Sequence, residues 1–172
     1  MTALADVVGV PIGVVRDLIA DFTARGLTVA MAESLSGGLL CALLTEIPGS
    51  SAVVRGGLVV YATDLKHRLA GVDADLLAGA GPVDPAVAAQ LADGARRRCG
   101  ASIGVGLTGV AGPDPQGGVA VGTWYCAVSG PGEHRDQRHG LPGSATGDRA
   151  GIRAAAVRAA LGMLANAPAT NL

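Results

Sequence analysis

Val15, Leu18, Ile19 and Phe22 recur at i, i+3, i+4 and i+7, the spacing that lines one face of a helix. Pro11 and Gly26 bracket them as start and stop residues, so residues 11–25 are predicted to be helical. Residues 1–10 carry no comparable pattern and are expected to be flexible. LTVAMA (27–32) is unbroken in its hydrophobicity and predicts a strand buried on both faces. A helix over 37–46 follows, stopping before Pro48, then a second strand, GGLVVYA (56–62), and a short helix in TDLKHRLAGV (63–72). Asp84 and Pro85 form the opening of a helix that runs to about Cys99. The strand ASIGVGLTG (101–109) comes next, then two more strands at 119–128 and 133–141. A closing helix over 147–166 has Val157, Ala160, Leu161 and Leu164 on its apolar face. Helices alternating with buried strands predict an α/β fold, a mixed, largely parallel sheet covered on both faces. The Gly- and Pro-rich pieces at 109–118 and 129–133 read as loops inside this unit, so residues 1–172 are expected to form one domain.

Composition narrows the partners. Hydrophobic residues make up 49% of the chain and charged ones 16%, which favours a packed core over disorder. No apolar run approaches the ~20 residues of a membrane span, so a soluble protein is expected. A net charge of −1 and 2% aromatics supply neither a phosphate-tracking surface nor stacking rings, which argues against nucleic acid. The N-terminus has no basic segment ahead of an apolar one, and the isolated Cys41, Cys99 and Cys126 read as small buried hydrophobes, so a reducing cytoplasm fits. Neither these cysteines nor His67, His134 and His139 have metal-ligand spacing, and no metal is expected.

In open α/β sheets the ligand crevice lies beyond the carboxyl ends of the strands. Three polar or Gly-rich stretches fall there: AESLSGG, YATDLK and TGVAGPDPQGG. Ser36 suits an N-cap, with Gly37 and Gly38 letting the chain turn. Ser34 is not needed for that cap and sits where a hydroxyl is exposed near converging N–H groups, the place of a nucleophile. No histidine is tied to Ser34 by sequence, which leaves Lys66 as the candidate base. Of 13 basic residues it is the single lysine, and an amine, unlike a guanidinium, can give up its proton when desolvated. A solvated surface lysine is the competing reading.

Four separated blocks, AESLSGGLL, IPGSSAVVRGGLVVYATDLKHRLAGV, GLTGVAGPDPQGGVAVGTWYCAV and GDRAGIR, strongly resemble the CinA C-terminal domain family, the nicotinamide-nucleotide amidases. The resemblance covers nearly the whole chain. It implies a three-layer α/β/α sandwich that converts nicotinamide mononucleotide to nicotinic acid mononucleotide and ammonia without a metal or organic cofactor. It also implies roles for Ser34 as nucleophile and Lys66 as base, and for Tyr61, Thr108 and Arg149 in the site. Two departures are visible. Ser36 stands where the family usually has threonine, and the loop after Pro113, DPQGG, is short. The family also occurs fused behind a separate N-terminal domain, for which this chain is too short, so a stand-alone amidase domain is expected.

Chemistry and resemblance combine into one expected mechanism. Ser34 attacks the carboxamide carbon, and Lys66 takes and later returns the proton, with Tyr61 as a relay. N–H groups of Gly37 and Gly38 face the oxyanion. Gly109, Ala111, Gly112 and Arg149 hold the nucleotide's phosphate. Glu33 either orients Lys66 or caps the helix. Arg149 and Arg153, at i and i+4, read most simply as a solvated face, with the resemblance adding weight to Arg149 alone. Asp114 reads as turn chemistry, and Asp64 and Asp148 as helix N-terminal residues. A homo-oligomer is expected. A non-catalytic nucleotide-sensing or protein-binding module is the alternative, and hydrolysis of another small amide would use the same residues.

Overall fold

The computed structural model describes residues 4–130, 137–139 and 147–167. Seven helices are seen among them: α1 (Leu4–Val8), α2 (Ile12–Ala24), α3 (Leu39–Thr45), α4 (Thr63–Ala70), α5 (Ala74–Gly79), α6 (Pro85–Cys99) and α7 (Arg149–Ala165). The strands are β1 (Val29–Glu33), β2 (Val54–Val59), β3 (Ile103–Gly109), β4 (Trp124–Ser129) and β5 (Gln137–His139), with one turn of 3-10 helix at Ser50–Ala52. The sheet order is β2-β1-β3-β4-β5. β1 is parallel to β2 and β3, β4 is antiparallel to β3, and β5 is antiparallel to β4. Four of the five strands therefore run one way and only β4 is reversed: a mixed, mostly parallel open sheet.

Alternation along the central strand divides the core. Val29 and Met31 join one cluster with α1, α2, α3 and α7, whereas Ala30 and Ala32 join another with α4 and α6. Three layers, α/β/α, result. On the second face β3 places Gly104 and Gly106 under α6, where an added Cβ would lie 2.0 Å from the Ala92 carbonyl oxygen and 2.1 Å from that of Ala88. The missing side chains let the helix rest almost directly on the strand.

Several expectations are corrected. Residues 4–8 are helical, with Ala5 and Val8 buried against the core, where flexibility was expected. The helix expected from residue 37 begins at Leu39, because Gly37 and Gly38 have φ of 62° and 91° and form a turn. The strand expected over 119–128 starts only at Trp124, after a reversal through Gly122 (φ 90°). Helix α5 was not anticipated. It is six residues long, and its signal is a single N-cap, Asp73, whose Oδ1 accepts from the N–H groups of Asp75 (2.7 Å) and Leu76 (3.2 Å). Of the strand expected over 133–141, Gln137–His139 is β5 and the rest lies outside the described residues.

Candidate active site

The parallel strands β2, β1 and β3 end side by side. Beyond β1, the Ser34 N–H donates to the Leu107 carbonyl (2.9 Å), and the Glu33 carbonyl accepts from the Val60 N–H (2.8 Å). These bonds extend the ladder on both sides and fix Ser34 at its end. A cleft with about 530 Å³ of empty space up to its open mouth lies there, bordered by Ser34, Leu35, Tyr61, Lys66, Pro82, Val83, Thr108, the 109–112 loop, Asp114, Gln116 and Arg149.

Lys66 comes from α4 and is only 2% exposed. Its Nζ lies 3.0 Å from Ser34 Oγ, 2.9 Å from the Val60 carbonyl oxygen and 3.3 Å from that of Tyr61. Among the described residues no carboxylate pairs with it. Burial without a counter-ion lowers its pKa from 10.5 to about 8. When the amine is neutral, its two hydrogens can serve the two carbonyls, which accept only, and its lone pair is left for the Ser34 hydroxyl. In that state the amine can accept the Ser34 proton.

The remaining predicted residues divide. Glu33 does not hydrogen-bond to Lys66 and does not border the cleft. Its carboxylate accepts from the N–H groups of Gly38 (3.1 Å), Leu40 (3.1 Å) and Cys41 (2.9 Å), capping α3. The place expected for the Ser36 cap is thus taken by a carboxylate, the stronger acceptor at a positive helix end. Ser36 Oγ is buried with no hydrogen-bond partner among the described residues. The Gly38 N–H is held by Glu33 and the Gly37 N–H by the Ser34 carbonyl (3.1 Å), so neither is available to an oxyanion as expected. The N–H groups of Leu35, Ser36, Ala111 and Gly112 have no acceptor among the described residues.

Tyr61 reaches Lys66 with its carbonyl and not its hydroxyl, which instead accepts from Arg149 Nη2 at 2.7 Å. The proton relay through its phenol is not formed. Arg149, the first residue of α7, also donates through Nη1 to the Gly112 carbonyl, so it bridges two walls of the cleft. Thr108 is fully buried at the cleft floor and donates to the Pro82 carbonyl at 2.6 Å, which ties the 82–83 loop into the site.

Several residues were missed, among them Leu35 and Gln116, which border the cleft, and Asp114, which borders it although it was read only as turn chemistry. Pro82 and Val83 line the cleft, and nothing in their sequence marks them. Arg153, read as part of a solvated face, donates from Nε to the Leu35 carbonyl (3.1 Å) and from Nη2 to the Ser36 carbonyl (2.8 Å). Asp148 caps α7 through the Gly151 N–H (2.9 Å), as its position implied. His67 stays outside the site, with Nδ1 2.7 Å from the Val72 carbonyl oxygen. Cys41 and Cys99 are half-buried rather than buried; burial, then the nearby Glu33 charge, raises the Cys41 thiol pKa, and neither cysteine lines the cleft.

Residues 13–167 match the model of the CinA C-terminal domain. The chain belongs to this family. It is 45% identical over 152 residues to a CinA-like protein of Frankia casuarinae, covering 88% of this chain and 34% of that protein. A CinA-like protein of Acidobacterium capsulatum is 47% identical over 143 residues, 81% of this chain and 33% of the relative. The chain thus spans about a third of the length of these curated relatives. The crystal structure of the competence/damage inducible protein CihA from Agrobacterium tumefaciens superposes with a TM-score of 0.84 at 39% identity, covering 90% of this chain and 93% of that one. A CinA superfamily protein from Klebsiella pneumoniae gives a TM-score of 0.83 at 28% identity, with 90% and 95% covered. No helix among the described residues is long and apolar enough to cross a membrane.

Proposed function

We propose that this CinA-family domain is an amidohydrolase that converts nicotinamide mononucleotide to nicotinic acid mononucleotide and ammonia. The observation that carries the reading is the contact of Ser34 Oγ with the buried, low-pKa amine of Lys66 at the strand ends. The substrate comes from the resemblance to nicotinamide-nucleotide amidases. In the first step Ser34 Oγ bonds to the carboxamide carbon and its proton passes to Lys66 Nζ. The unpartnered N–H groups of Leu35 and Ser36 are the donors nearest in sequence to the nucleophile for the resulting oxyanion. Lys66 then protonates the departing nitrogen, ammonia leaves, and an acyl ester remains on Ser34. Water hydrolyses the ester, giving its proton to Lys66 and finally restoring the Ser34 hydroxyl.

Arg149 supports a phosphate at the cleft mouth. Its hydrogen bonds are both to neutral acceptors, the Tyr61 hydroxyl and the Gly112 carbonyl, and among the described residues no carboxylate forms an ion pair with it, Asp114 included, which borders the same cleft. The free N–H groups of Ala111 and Gly112 adjoin it. A buried amine set against a hydroxyl has no use in a passive sensor, so the catalytic reading is preferred to the binding-module alternative. The test is ammonia release from nicotinamide mononucleotide, run beside nicotinamide riboside and free nicotinamide. The mononucleotide should be hydrolysed fastest. No ammonia from any of the three would refute the amidase reading, and equal rates on mononucleotide and riboside would remove the phosphate from it.

A further inference from the structure

The turn that carries Ser34 is held by two side chains from outside it, Glu33 at the Gly38 N–H and Arg153 at two carbonyls. Residues 34–38 join β1 to α3, and Gly37 at φ 62° and Gly38 at φ 91° give this turn a backbone that does not continue either element. Its own hydrogen bonds are few: the Gly37 N–H to the Ser34 carbonyl, and the Leu39 N–H to the Ser36 carbonyl at 3.3 Å. Arg153 supplies what the turn lacks. It stands one helical turn beyond Arg149 on α7, half-buried, and its guanidinium spans two successive carbonyls, Leu35 through Nε and Ser36 through Nη2. Among the described residues no carboxylate pairs with it, and its hydrogen bonds are to these two carbonyls.

Peptide planarity transmits this grip. With the Leu35 carbonyl turned toward Arg153, the Ser36 N–H of the same trans peptide points to the opposite side, away from α7. That N–H has no acceptor among the described residues, and the peptide is polarised by a cation at its oxygen. A flat, forked guanidinium can hold two carbonyls at fixed spacing, whereas an ammonium is a point charge on a flexible stem.

We propose that Arg153 is a positioning residue: by clamping the Leu35 and Ser36 carbonyls it fixes the turn and holds Ser34 in line with Lys66. Arg153 does not border the cleft, so it acts through the turn and not on the ligand. The proposal rests on the reading of Ser34 as a nucleophile, but not on the identity of the amide.

The experiment therefore reads Ser34 directly. An arylsulfonyl fluoride transfers its sulfonyl group to an activated serine, with fluoride leaving and the serine proton passing to the base, and mass spectrometry locates the adduct. Ser34 of the wild-type protein should be labelled. Arg153→Met should label Ser34 at least tenfold more slowly while its melting temperature stays near wild type, and added guanidinium at sub-denaturing concentration should restore part of the rate. With nicotinamide mononucleotide the loss should fall on kcat and leave KM nearly unchanged. Should Arg153→Met not fold, Arg153→Lys is the second variant. It keeps one charge and one carbonyl contact, and slow labelling in the folded protein supports the clamp. Labelling of either folded variant at the wild-type rate would overturn the proposal, as would a loss that guanidinium does not rescue and that tracks a fall in melting temperature. A wild-type protein labelled at Ser34 but inactive on the mononucleotide would sink the substrate reading alone; one not labelled at Ser34 would sink the nucleophile and Arg153's role with it.

Discussion

Lys66 Nζ donates to three oxygens when charged, yet is taken out of water with no counter-ion among the described residues, and that tension makes it a usable base. The neutral form attacks the Ser34 proton, so kcat/KM should rise with pH through about 8 and level off above it. Lys66→Arg should abolish this limb and lose activity nearly as far as Lys66→Ala, on the order of 10²–10⁴-fold, because guanidinium keeps the charge but cannot accept a proton. A Lys66→Arg protein with substantial turnover would show that charge alone matters. Ser36 differs from Ser34 in kind. Its hydroxyl is buried without a partner among the described residues, so Ser36→Ala should leave stability unchanged or raise it by up to about 1 kcal/mol, where a lost cap would lower it by a similar amount; urea denaturation decides between them. The meeting of Ser34 and Lys66 was legible in the sequence because one hydroxyl sat unexplained at a strand end and one lysine stood among arginines. Ser36 was misassigned as the cap because serine is preferred at helix starts, while the second reading of Glu33, as a capping carboxylate, is the one its three N–H contacts bear out.

The short helix α3 has no hydroxyl cap and depends on Glu33, whose two oxygens meet three of its early N–H groups. Glu33→Gln turns one oxygen into a donor facing donors, and should destabilise the protein by about 2–4 kcal/mol, seen as a lower urea midpoint at unchanged m-value. A neutral result would mean that the charge is not needed there. At the other end of the chain, the first turn of α7 sends Arg149 and Arg153 to different parts of the site. From the sequence their i, i+4 spacing could only be placed on one helical face, and what lay opposite that face depended on tertiary contacts 37 to 118 positions away. The same limit hid Pro82 and Val83, whose place in the cleft is set by the Thr108 hydroxyl. Arg149→Ala should raise KM for the mononucleotide about tenfold or more, with little effect on any riboside activity, since only the former carries the charge that the arginine pairs with. Equal losses on both substrates would make Arg149 structural, as a bridge between the walls.

Across the whole molecule, the order of helices and buried strands was enough to foresee a mostly parallel sheet covered on both faces, because that architecture follows from local periodicity and from short connections. The start of β4 was not foreseeable in the same way, since residues 119–123 are as apolar as a strand and only their glycine geometry turns the chain. The sheet also sets the global consequence of its site. Lys66 is locked between β1, β2 and α4, so its proton affinity is linked to folding of the entire sheet. An unfolded chain binds the proton with the ordinary lysine pKa of 10.5, while the folded one binds it at about 8. Between those values the unfolded state holds more protons, so stability must increase as pH rises from about 8 toward 10.5; below 8 both states are protonated and the destabilisation is present in full. The shift corresponds to an upper limit of about 3 kcal/mol. Other groups titrate in the same range, so the measurement is a comparison: urea unfolding of wild type and Lys66→Met at pH 7 and pH 10. Wild type should gain on the variant by up to about 3 kcal/mol between the two pH values. A difference that stays constant would mean that Lys66 retains an ordinary proton affinity in the folded protein, and the base assigned to Ser34 would lose its physical ground.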